Sequence, residues 1–188
     1  MNLNGETIIA AKPDAVWRAL NDPEILRQAI PGCETLEKTS DTAFKATVAL
    51  KIGPMQTRFN GAVTLADMDP PNGYTISGTG SGGVAGNAKG SAKVRLEPHS
   101  EGTRLVYAVD AQVAGKLAQL GSRLIDSTAK MLAGQFFDRF GALVAPPVAP
   151  QVEAARADGS PAAGVPSSWL WAALAGAVAL AALYWLLK

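Results

Sequence analysis

From Phe44 to Val113 the chain alternates apolar and polar positions at period two, and beyond that it changes to helical spacing. Phe44, Ala46, Val48, Leu50 and Ile52 alternate with Lys45, Thr47, Ala49 and Lys51. After a Gly53-Pro54 turn, Met55, Phe59, Val63 and Leu65 fall on one face, and Gln56, Arg58, Asn60 and Thr64 on the other. Leu105, Tyr107, Val109, Ala111 and Val113 repeat the pattern against Arg104, Asp110 and Gln112. One apolar and one polar face predict an antiparallel sheet covered on a single side. Upstream, residues 3–10 predict an opening strand. Pro13 and Asp14 suit the first turn of a helix with Val16, Trp17 and Leu20 as its apolar stripe. Asp22-Pro23 predicts the cap and first residue of a second short helix, broken at Ile30-Pro31-Gly32-Cys33.

The cover for the sheet is expected from GKLAQLGSRLIDSTAKMLAGQFFDRF, Gly115 to Phe140. Leu117, Leu120, Gly121, Leu124, Ile125, Thr128, Met131 and Leu132 share one helical stripe, with Gln119, Arg123, Asp126 and Lys130 opposite. On that phase Phe137 and Phe140 point away, either wrapping over the sheet's rim or meeting a bilayer or a partner.

Residues 78–91, GTGSGGVAGNAKGS, contain a literal G-x-G-x-x-G at Gly78–Gly83. A nucleotide fingerprint needs a helix after the turn, so that its N-terminus meets the phosphate. Here Ala88, Gly90, Ala92, Val94 and Leu96 alternate with Lys89, Ser91, Lys93 and Arg95, which is a strand. In the register that turns Tyr74 and Ile76 inward, Gly78 and Gly80 follow them, and Ala88, Gly90 and Ala92 face inward on the return. Two neighbouring strands thus place almost no side-chain volume on the covered face. Either the helix comes close to fill that space or a cavity remains.

Charge and cysteine content narrow the function. A formal net charge of +1 over 188 residues gives no basic surface for nucleic acid. Single Cys33 and His99 residues build no local metal-ligand set, and no nucleophile–base pair or carboxylate pair appears at local spacing. Residues 142–168 turn to Ala, Pro, Gly and Ser and are expected to be a disordered linker. WLWAALAGAVALAALYWLL, Trp169 to Leu187, carries no charge and has aromatic residues at both ends. At about 1.5 Å per residue it reaches about 28 Å, enough to span a bilayer as a tail anchor.

The stretches VWRALNDPEILRQAIPGCETLEK, FNGAVTLADMDPPNGYTISGTGSGGVAGNAKGSAKVRLEP and GTRLVYAVDAQVAGKLAQLGSRLIDSTAKMLAGQFFDRF closely resemble the G-subunit family of carbon monoxide dehydrogenase. That family belongs to the START-like (polyketide cyclase/dehydrase and lipid transport) superfamily. The resemblance covers residues 1–141 and implies an α+β helix-grip fold, a curved antiparallel sheet around a long C-terminal helix with a hydrophobic tunnel between. It implies association with a molybdenum-containing carbon monoxide dehydrogenase or related hydroxylase at the cytoplasmic membrane. It also implies a respiratory quinone as guest and no catalytic motif of the chain's own. The expected class is therefore a non-enzymatic carrier and adaptor, the alternative being a scaffold or maturation factor with no physiological ligand. Expected cavity-lining residues are Phe44, Phe59, Tyr74, Gly78, Gly90 and Tyr107 from the sheet, with Tyr74 or Tyr107 donating a hydrogen bond. Leu120, Gly121, Leu124 and Met131 are expected from the helix, and the Ile30–Cys33 loop as a lip. No metal is expected.

Deleting residues 169–188 is expected to leave the domain folded and move it from the membrane pellet to the soluble fraction. Retention in the pellet after the deletion contradicts the anchor.

Overall fold

The alternation becomes seven strands. The computed structural model describes residues 1–145, so the expected linker beyond that point and the expected span at 169–187 lie outside the described residues. Strands β1 (Asn2–Ile9), β2 (Cys33–Ser40), β3 (Ala43–Ile52), β4 (Met55–Asp69), β5 (Gly73–Ser81), β6 (Asn87–His99) and β7 (Gly102–Ala114) form one sheet. Its order is β1-β7-β6-β5-β4-β3-β2, with every neighbouring pair antiparallel. Helices α1 (Pro13–Leu20) and α2 (Pro23–Ala29) interrupt β1 and β2, and α3 (Ser122–Val144) closes the domain. This is a helix-grip arrangement. Among the described residues no helix is long and apolar enough to cross a membrane.

Local chemistry sets most element boundaries. Pro23 opens α2 while the Asp22 carboxylate accepts hydrogen bonds from the backbone N–H groups of Glu24, at 2.8 Å, and Ile25, at 3.3 Å. That satisfies two of the donors a helix start leaves free. The strand at CETLEKTS is not visible in the hydrophobic pattern, because β2 is an edge strand exposed along most of its length. Glu34, Glu37 and Lys38 line it, as suits an edge that must not pair with another sheet.

The core lies between α1, α2, the C-terminal half of α3 and the end of the sheet nearest Ile9, Leu96 and Leu105. Thr103 is fully buried there and donates its hydroxyl proton to the Ala11 carbonyl at 2.6 Å. The core cluster runs from Ile9 to Phe140, all within the compact unit Met1–Val148. That unit therefore holds its own core and can fold without the rest of the chain.

The phase of the last helix corrects the sequence-based expectation. Gly115–Leu120 forms a 3-10 turn, and Gly121, at a φ of 86°, breaks the chain before α3 begins at Ser122. Thr128, in the expected stripe, is buried, but the face that α3 buries turns from there toward Phe136 and Phe140 further along the helix. Phe140, expected to point away, is 0% exposed, whereas Met131, expected inside, is 50% exposed. Phe137 stacks on Tyr107 with ring centroids 5.2 Å apart. Phe136 meets Phe137 at 5.1 Å and Phe140 at 5.6 Å.

Phe140→Ala is expected to lower the unfolding free energy in urea by about 3–5 kcal/mol, as a large buried ring leaves a void. Met131→Ala is expected to change it by no more than about 0.5 kcal/mol. The reverse ranking would show that α3 is turned the other way.

Candidate functional site

Between the inward face of the sheet, α2 and α3 lies a cavity of about 600 Å³. The register shows where the inward face beside it lacks bulk. Val63 on β4 stands opposite Gly78 on β5, Gly78 opposite Gly90 on β6, and Gly90 opposite Ala111 on β7. One row further along, Ala46, Gly61, Gly80, Ala88 and Val113 face one another in the same order. Large side chains return only at the row of Leu65, Ile76, Ala92 and Val109, and at that of Tyr74, Val94 and Tyr107.

Exposure shows which way the cavity opens. At the core end Leu65, Tyr74, Val94 and Leu105 are buried, while Val48, Leu50, Phe59 and Gly61 at the other end are only half-buried. Ile30 and Pro31, following α2, also border the space. This lip is fastened to β3 by a hydrogen bond from the Ala49 N–H to the Gly32 carbonyl at 2.8 Å. Gly32 has a φ of 74°, and a Cβ there would run into the Ala49 carbonyl oxygen, so the close approach requires glycine.

Four of the expected residues, Phe44, Phe59, Tyr74 and Tyr107, line the cavity together. The Phe59 ring lies over Gly82, where a Cβ would fall 2.7 Å from its Cε1. Gly78 and Gly90 share the inward face but do not line the cavity. Val63 leans over the first, its Cγ1 2.8 Å from where a Cβ would be, and the second lies close against Ala111. Leu120, Gly121, Leu124 and Met131 do not border the cavity either. Leu124 instead packs on the β3–β4 turn, its Cδ2 2.9 Å from a Cβ built on Gly53. From α3 the lining comes from Leu132, Ala133, Phe136 and Phe137. Leu132 stands in the expected stripe and Phe136 four residues beyond it, whereas Ala133 and Phe137 follow from how α3 is turned in the fold.

The lining is almost wholly aliphatic and aromatic, with two phenols and Lys45 as its polar residues. Tyr74 is 5% exposed, meets the Trp17 ring edge-on at 5.4 Å and makes no hydroxyl hydrogen bond among the described residues. Burial pushes its phenol above the usual tyrosine range, because an apolar surround disfavours the phenolate. It is a neutral donor with no acceptor among the described residues. Tyr107 differs: its ring passes over Gly5, where a Cβ would overlap the hydroxyl, so the hydroxyl points toward β1.

Other reactive groups lie apart. The Cys33 thiol is raised by burial, partly offset by the Arg27 cation, and donates to the Thr35 carbonyl at 3.4 Å. Asp126, expected on the solvent side of the helix, has Oδ1 buried with no hydrogen-bond partner among the described residues. Among the described residues no cluster of His, Cys, Asp and Glu is arranged to hold a metal ion.

The family described as the G subunit of carbon monoxide dehydrogenase (CoxG) matches residues 5–144. No curated protein matches the chain. A conserved protein from Geobacillus kaustophilus is 30% identical, with a TM-score of 0.72 over 77% of this chain and 95% of that one. A protein from Rhizobium leguminosarum, 18% identical, has a TM-score of 0.60 over 77% and 93%. One from Chromobacterium violaceum, 17% identical, has a TM-score of 0.59 over 78% and 99%. The last two establish likeness of fold alone.

The raised Tyr74 phenol predicts an alkaline instability. Below about pH 10 the phenol is neutral in both states; above that the unfolded chain ionises it while the fold resists. Stability attached to Tyr74 is thus present below the ordinary tyrosine range and lost as pH rises through and above it. Urea unfolding at about pH 9 and about pH 11 is expected to show a smaller loss for Tyr74→Phe than for the wild type. Equal losses would mean that the phenol is not buried in the folded protein.

Proposed function

The chain belongs to the CoxG family, the G subunit of carbon monoxide dehydrogenase, and on that footing we propose that it carries an apolar ligand, a respiratory quinone, for a molybdenum-containing carbon monoxide dehydrogenase or related hydroxylase. It does so without chemistry of its own, held at the cytoplasmic membrane by residues 169–187.

One observation carries the reading: an apolar cavity of about 600 Å³ open at one end. Binding sites for small ligands commonly fall between about 300 and 1,000 Å³. A long isoprenoid tail suits the aliphatic walls. A quinone carbonyl needs few polar contacts, and the unpaired Tyr74 hydroxyl supplies one donor at the closed end. That hydroxyl makes no hydrogen bond among the described residues, so an acceptor on the guest gains one without displacing another. This orients the ligand head inward and tail toward the mouth.

The chain beyond the domain fits the same role. About 27 linker residues, at roughly 5–6 Å times the square root of their number, give a mean reach near 28 Å. Such a tether keeps the domain close to the bilayer, where quinone is dissolved, while leaving it free to meet a soluble enzyme. Tethering raises the effective concentration of both partners without adding a contact.

The test is mass spectrometry of organic extracts from gently purified protein, followed by quinone titration read from tryptophan fluorescence. Wild-type protein is expected to bring down quinone in stoichiometric amount. Ala92→Phe, which fills the floor between Ile76 and Val109, is expected to lose at least about tenfold in affinity while keeping its unfolding midpoint; Tyr74→Phe is expected to lose less. An empty extract and no uptake on titration would leave the scaffold or maturation role.

A further inference from the structure

We propose that the end of the domain around the cavity mouth is a lipid-docking surface that takes anionic headgroups, with Val84 as its inserting tip. The antiparallel order sends the β3–β4 turn, the β5–β6 connection and the β7–α3 connection to one end of the sheet. The β2–β3, β4–β5 and β6–β7 turns lie at the other. Charge follows this division. Lys51, Lys89, Lys116 and Arg123 flank the three connections at the first end; all are exposed, and none makes an ion pair among the described residues. No acidic residue occurs in 52–55, 81–89 or 114–123. The opposite turns carry Asp41, Asp67, Asp69 and Glu101.

The apolar tip is built into the backbone. In Gly82–Gly86 the Gly82 N–H donates to the Gly86 carbonyl at 2.8 Å and the Ala85 N–H to the Gly82 carbonyl at 3.1 Å. Gly83 and Gly86 take φ values of 61° and 118°, conformations that side chains beyond glycine resist. Ala85 is thereby turned inward to 3% exposure, as is Leu117 on the adjoining 3-10 turn, while Val84 is held out at 86%. A valine fixed outward among four unpaired cations matches a membrane interface, where apolar insertion and attraction to acidic lipid act together. An acidic protein would suit the cations but would not call for the protruding valine. The repelled acidic end fixes the orientation, so the cavity mouth faces the lipid. An apolar guest then passes between bilayer and cavity without crossing water.

This surface rests on the carrier reading for its purpose but not for its existence, and one set of measurements separates the two. The unit Met1–Val148 is sedimented with vesicles of phosphatidylcholine alone and of phosphatidylcholine with phosphatidylglycerol. Binding is expected to the anionic vesicles only, to fall with added salt, and to be weak enough that a salt wash still releases the domain lacking residues 169–188 from the membrane. Lys51→Glu, Lys89→Glu, Lys116→Glu and Arg123→Glu combined are expected to weaken it by at least about tenfold, as is Val84→Asp to a smaller degree, with unchanged thermal midpoints. Absence of binding to anionic vesicles, or binding that neither variant alters, overturns the docking surface. Variants that leave vesicles unaffected but reduce association with the dehydrogenase also overturn it, assigning the face to protein. Quinone titration of the same variants, read without vesicles, is expected to stay unchanged. Its failure in the wild type would sink the carrier while leaving the surface standing.

Discussion

The seating of α3 governs the rest of the structure. Phe136, Phe137 and Phe140 form an aromatic group that locks the C-terminal half of the helix onto Tyr107, α1 and α2. Aromatic pairs at these separations add to the free energy of burying the rings themselves. The N-terminal half then extends over strands whose inward positions are glycine and alanine. A Cβ built at Gly134 or Gly121 would meet nothing within 4 Å. One end of the domain is filled and the other is hollow, from a single placement of the helix.

That asymmetry separates stability from binding. The closed end holds the fully buried side chains, the Thr103–Ala11 hydrogen bond and the capped helices. The open end holds the half-buried apolar faces, the lip pinned by Gly32 and the connections that carry the unpaired cations. Each open-end feature costs the fold something: exposed apolar surface and glycine in strands. They become reasonable together if the fold is completed by a guest and a lipid surface.

Much of the architecture was legible before any coordinate. Period-two alternation locates the strands from β3 onward, because a half-covered sheet imposes it directly on the sequence. Asp22-Pro23 marks the start of α2 for an equally local reason. The alternation after Gly83 excludes a phosphate loop, and pairing Gly78 with Gly90 follows from counting inward positions. β2 escaped notice, since an edge strand has little apolar face to display. The lining of the cavity was half legible: Phe44, Phe59, Tyr74 and Tyr107 stand on strands whose parity is unambiguous.

The amino-acid sequence by itself determined which faces are apolar, where the sheet lacks volume and which family the chain resembles, because these depend on spacing within single strands and on local composition. Only the tertiary structure decided that Phe140 is core and Met131 is not, and that Tyr107 lies over Gly5 while Tyr74 makes no hydroxyl hydrogen bond among the described residues. It alone gathered Lys51, Lys89, Lys116 and Arg123 at one end. Those outcomes depend on contacts between distant segments, and no count along one segment contains them.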